Sequence, residues 1–173
     1  MKYAVVPAAL LFINPAMASD EIYKSVPDTS LIVNYNDETS SCSMLGSYER
    51  GDMIRLSVQK NMKNELAFVL IFAREDWEWS NTTDIPVVYG VMNQSKIVGS
   101  YRVTLQGEGP AIGSRLESAM ISDLALGDEL VIVELDTKSI VSTYNIAGFD
   151  RGITIMLDCF TEKYITKSPN ISM

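Results

Sequence analysis

Asp76-Trp77-Glu78-Trp79 places two carboxylates and two indoles within four residues. Two acids are all that a glycosidase requires. Indoles at i and i+2 of an extended segment share one face and form a flat ledge that can stack on a sugar ring or a partner's side chain. Tyr89 and Tyr101, on the two strands expected next, would widen that face. Core packing competes for at least one of the tryptophans. Asp76 and Glu78 on one face of one strand are ordinarily solvated, which leaves Trp77, Trp79, Tyr89 and Tyr101 as candidate binding residues and no residue as a candidate catalyst.

Other chemistries fail on residue type. The chain has no histidine and two cysteines, which removes Ser-His-Asp and Cys-His catalysis, histidine-based zinc sites and a thiolate zinc site. GEGPAIG lacks the lysine and the strand-to-helix setting of a phosphate-binding loop. Ser57 and Lys60 fit an S-x-x-K pattern but fall on an expected strand, where they point to opposite faces. No cofactor or metal is expected.

The first residues set the compartment. Lys2, an apolar run from Tyr3 to Ile13, the break at Asn14-Pro15 and the small residues of Ala16-Met17-Ala18 have the layout of a secretory signal with an A-x-A cleavage site. The run is too short to span a bilayer. A leader over residues 1–18 and a single domain over 19–173 are expected, with a periplasmic or secreted product that is not inserted in the membrane. Cys42 and Cys159 in an exported chain then read as one disulfide. Cys159 as a nucleophile would need a base that the chain lacks. Closing so long a loop stabilises by about 4–5 kcal/mol in the chain-entropy picture.

Charge narrows the partners. The net charge is −8, and loss of the leader removes Lys2 and no acid. Such a surface repels nucleic-acid phosphates and anionic membranes. A protein partner is the expectation.

The elements that must hold these residues are mostly strands. Alternation marks Leu31–Tyr35 and Ile54–Gln59, and Cys42–Tyr48 reads as a strand between them. Leu66–Ala73 is apolar throughout, as a central strand would be. Val87–Val91 and Ile97–Leu105 flank a turn at MNQS, and Pro86 argues for an edge or a break. QGEGPAIGS, residues 106–114, reads as a loop or bulged edge. Leu116, Met120, Ile121, Leu124 and Leu126 fit one helical face that Gly127 ends. Leu130–Leu135 and Ile140–Ile146 are strands around a tight turn. Phe149, Ile153, Met156, Leu157, Phe160 and Tyr164 form a helical stripe, with Asp150 suited to the helix dipole. Seven to nine strands, a short helix and a C-terminal helix on the sheet make a mainly β protein, an antiparallel sandwich or a partly open barrel.

Residues 116–159, roughly a quarter of the chain, resemble the end of the invasion-associated locus B family of small exported alphaproteobacterial proteins. There a short helix leads to a G-x-x-L-x-V strand, a strand ending in L-x-G-F and a final helix. Gly127, Leu130 and Val131, then Ile146, Gly148 and Phe149, occupy those positions. The family's central cysteine pair is missing, and QGEGPAIGS stands in its region. The resemblance implies an exported β domain linked by name to host-cell invasion, and it transfers no enzymatic residue. The expected function is therefore non-enzymatic binding of another protein, as an envelope accessory, an invasion-related factor or an inhibitor or immunity protein. A carbohydrate or small-ligand module built on Trp77 and Trp79 is the alternative.

Overall fold

In a computed structural model, residues 20–48 and 51–166 are described, and within them the side chains of 79–83 and 108 are not. The expected leader and the C-terminal tail lie outside the described residues. Ten strands run in chain order as β1 (Glu21–Ser25), β2 (Ile32–Asn36), β3 (Ser41–Ser47), β4 (Met53–Lys60), β5 (Leu66–Ala73), β6 (Trp79–Asn93), β7 (Lys96–Gly109), β8 (Ala111–Leu116), β9 (Glu129–Glu134) and β10 (Ile140–Asn145). Helix α1 (Ser118–Leu126) joins β8 to β9, and α2 (Phe149–Phe160) follows β10 and runs into a π-helical turn, Thr161–Ile165. The strands form one open sheet in the order β1-β2-β3-β4-β5-β8-β7-β6-β9-β10, antiparallel at every pairing.

The sheet curls until its far parts meet. Tyr144 on β10 stacks on Phe72 of β5, ring centroids 5.0 Å apart, and meets Tyr48 edge-on at 5.4 Å. The Tyr48 hydroxyl donates to the Asn145 carbonyl at 2.6 Å. The curl encloses α2, whose Phe149, Ile153, Met156, Cys159 and Phe160 are all buried. Burial of each large apolar side chain of this kind contributes about 2 kcal/mol. Cys159 is bonded to Cys42 of β3, Cα atoms 6.2 Å apart. Gly152 permits the close seat of α2 on β3, since a Cβ there would stand 2.0 Å from the Met44 sulfur. Beyond α2, Tyr164 donates to the Asn36 carbonyl at 2.9 Å, and the Lys163 ammonium lies 3.7 Å from the centroid of the Tyr35 ring.

Three expectations change. The segment before Leu31, where the sequence marks no strand, contains β1, an edge strand whose residues are mostly exposed and so carry no buried stripe. The glycine-rich 106–114 segment is not a loop: β7 runs through to Gly109 and β8 starts at Ala111. Glu108 pairs with Ala111 across Gly109-Pro110, and Gly109 takes φ +57. Positive φ followed by proline is the pattern of a two-residue type II′ turn, for which glycine is the natural first residue. Helical structure consequently starts at Ser118, and Leu116 closes β8 instead of opening the helical face. In the β6–β7 hairpin Gln94 and Ser95 both have positive φ, at 48° and 63°, as a type I′ turn requires.

Pro86 lies in a strand that is interior over Val87–Met92, where β9 pairs with it. Pairing with β9 stops at Val87, so the proline stands where β6 becomes an edge. Its carbonyl accepts from Leu135 N–H at 3.0 Å, and its missing N–H costs the ladder one bond at its end.

Candidate functional site, a split between β7 and β8

Strands β7 and β8 pair over three positions only, Gln106↔Gly113, Gly107↔Ile112 and Glu108↔Ala111. Beyond Gln106 they part. From there β7 follows β6, with Leu105, Thr104, Val103, Arg102 and Tyr101 opposite Ile85 to Tyr89. Meanwhile β8 follows β5, with Ser114, Arg115 and Leu116 opposite Leu70, Val69 and Phe68.

Pro86 fixes which backbone groups face the gap. In an antiparallel ladder the N–H and C=O of one residue point to the same side, and successive residues alternate. The Pro86 carbonyl bonds to Leu135 on the β9 side, so Pro86↔Thr104 is a non-hydrogen-bonded pair. The backbone groups of Thr104 therefore point away from β6, and those of Arg102 and Ser100 follow with the same parity. Gln106 shares that parity and meets Gly113, so the backbone of Arg115, two residues on, also faces β7. Two strand edges confront each other across the split without pairing.

The resulting cleft has a volume of about 520 Å³ and takes in Ser100 to Thr104, Gln106, Gly113 to Arg115, Glu117 and Met120. Alternation divides its lining. Arg102, Thr104, Gln106 and Arg115 are exposed on the outer face, while Tyr101, Val103, Ser114 and Met120 are half-buried or buried on the inner one. Among the described residues, neither Arg102 nor Arg115 forms an ion pair or a side-chain hydrogen bond. Gln106 is engaged with Asp84 at 3.2 Å. A chain with 14 basic against 22 acidic residues thus keeps two uncommitted guanidinium groups beside two open backbone edges.

Helix α1 packs against β7 beside the split. Met120 is buried against the sheet, and Tyr101 donates a short hydrogen bond from its hydroxyl to the Asp123 carboxylate. That bond, with burial and the carboxylate charge adding to it, pushes the Tyr101 hydroxyl up to about 12. Gly99 allows the approach, because a Cβ there would stand 2.2 Å from Asp123 Oδ2.

Of the four aromatic residues singled out in the sequence, the three whose side chains are described, Trp77, Tyr89 and Tyr101, have separate surroundings. Trp77 precedes β6, is half-buried against the core, and carries the Arg74 guanidinium 5.0 Å from its ring centroid. Arg74 is itself held by both carboxylate oxygens of Asp52. Trp79 opens β6 opposite Gly109, and its side chain lies outside the described residues. Tyr89 is 0 % exposed, with its ring edge-on to Phe72 at 5.8 Å and its hydroxyl 3.1 Å from that of Ser114, so it offers no surface to a ligand. Tyr101 lines the cleft. The acids beside the tryptophans are exposed, with Asp76 3.9 Å from Arg74. Ser57 is buried in a cluster with Ser43 at 2.8 Å and Arg55 at 3.3 Å, away from the exposed Lys60.

A second hollow of about 440 Å³, with Asp52, Arg74 and Glu75 in its wall, has its arginine already spent on Asp52. Among the described residues no group of three or more acids, histidines or cysteines could hold a metal ion, and no helix is long and apolar enough to cross a membrane. Arg102, Arg115 and the open edges escaped the sequence reading because Ile97–Leu105 read as one more paired strand. The signal was the glycine-rich run after it, which hid a second strand too short to pair along the whole of β7.

Compared with known protein families, with curated proteins and with solved structures, the chain has no match.

Proposed function

We propose that this chain is a non-enzymatic exported protein that binds another protein, and that the β7–β8 split receives an extended segment of that partner. The observation that carries the reading is the pair of unpaired strand edges facing one another. An open edge is a ready template for a further strand, and proteins ordinarily cover or blunt such edges. The disulfide and the expected leader support export. The likeness of residues 116–159 to the invasion-associated locus B family supports an exported β domain acting outside the cytoplasm.

Site-directed photo-crosslinking in the exporting cell tests this. With p-benzoylphenylalanine at Thr104, in the cleft, the expected product is one dominant adduct whose partner peptide maps to a single short segment. With the same group at Lys63, on the β4–β5 turn, that adduct should be missing. The same adducts from both positions would refute the cleft as the partner surface.

A further inference from the structure

Resting on that reading, we infer that the segment received is an amphipathic strand, acidic on alternate residues, which adds to the edge of β7 with its acids toward Arg102 and Arg115 and its apolar side chains toward Val103 and Met120.

Strand addition follows from parity. Ser100, Arg102 and Thr104 present N–H and C=O groups to the gap at every second residue, a spacing that an incoming extended chain matches without adjustment. The first position past the paired region would set Thr104 against Arg115. The split opens there and runs toward Ser100, long enough for about five residues of guest at roughly 3.4 Å each.

Alternation of the guest follows from the two linings. Its side chains must point in turn to the outer and inner faces of the sheet. The outer face carries Arg102, Thr104, Gln106 and Arg115. The inner face carries Val103 and Met120, with the Tyr101 hydroxyl closed off by Asp123. A residue placed opposite Arg102 would have its Cβ about 5 Å away, within reach of a carboxylate. Four acids or amides lie near the site. Asp123 is taken by Tyr101 and Asp84 by Gln106, Gln106 is thereby oriented, and Glu117 is the one carboxylate in the lining not committed elsewhere among the described residues. Within the described lining two arginines stand against the single carboxylate of Glu117, an excess of positive charge at this wall in a chain of net charge −8, while Asp123 and Asp84 keep their charge beside Tyr101 and Gln106. The rest of that surface repels acidic peptides, so attraction at this position is selective.

The test is fluorescence anisotropy on the purified protein with its disulfide intact. The probes are fluorescein-labelled (Val-Glu)4, its neutral counterpart (Val-Gln)4, and (Val-Glu)4 N-methylated at alternate residues. The acidic peptide is expected to bind about tenfold more tightly than the neutral one. Methylation should abolish binding. R102Q/R115Q should erase the preference with the melting temperature unchanged, since neither arginine has an ion-pair or side-chain hydrogen-bond partner to lose among the described residues. Equal binding of the acidic and neutral peptides would overturn the acidic guest while leaving the strand-receiving cleft in place. Undiminished binding of the methylated peptide would overturn strand addition. Failure of all three peptides to bind would overturn both this inference and the reading on which it rests.

Discussion

Changing Cys42 and Cys159 together to alanine is expected to lower stability by about 4 kcal/mol, a fall of about 10–15 °C in melting temperature for a domain of this size. The bond joins residues 117 positions apart, so its loss frees a large share of the unfolded chain. Both cysteines are 0 % exposed, and alanine leaves no buried hydroxyl unsatisfied. Folding should survive, because α2 keeps its buried face and its far end is held by other contacts. Tyr164 reaches Asn36, Tyr23 donates to Glu162 at 2.6 Å, and Lys163 sits over Tyr35. Thermal melts of oxidised and doubly substituted protein decide the matter. A difference below about 2 °C would mean that α2 is fixed by packing alone.

Phe72→Ala is the second large effect, about 3–5 kcal/mol. Phe72 is fully buried and touches both Tyr89 and Tyr144. Through Tyr144 it links β5 in mid-sheet to β10 at the edge. The loss should therefore be uneven. Strand β10 is expected to loosen first, giving faster proteolysis at the 136–139 turn. Phe72→Leu retains most of the volume and should cost no more than about 1.5 kcal/mol. Uniform destabilisation, with the turn as resistant as in the parent protein, would show that β10 does not depend on this stack.

Much of the architecture is legible in the sequence where burial is one-sided. Ile54, Leu56 and Val58 alternate with polar residues and form the inner face of β4. The stripe from Phe149 to Phe160 is the buried face of α2, and two cysteines without histidine were enough to pair Cys42 with Cys159. Legibility ends where side chains do not report position. The edge strand β1 shows no stripe, since all of its EIYKS residues but Tyr23 are exposed. Gly107, Gly109, Pro110 and Gly113 obscure β8 because glycine and proline read as a turn even when a strand begins directly after them. The candidate site suffers most. Tryptophans attract attention by type, but Trp77 is held half-buried under Arg74, whereas Arg102 and Arg115 look like ordinary exposed positions. Their significance depends on where two strands stop pairing, a long-range property that neither composition nor periodicity encodes.

Amide hydrogen exchange along β7, in the free protein and with (Val-Glu)4 in excess, tests the open edge most directly. In the free protein the amides of Tyr101 and Val103, bonded to β6, should exchange slowly, while those of Ser100, Arg102 and Thr104, with Arg115 on β8, should exchange quickly. The peptide should slow Ser100, Arg102 and Thr104 and leave the slow set unchanged. If Ser100, Arg102 and Thr104 are already as protected as their neighbours in the free protein, the edge is closed and the cleft receives no strand.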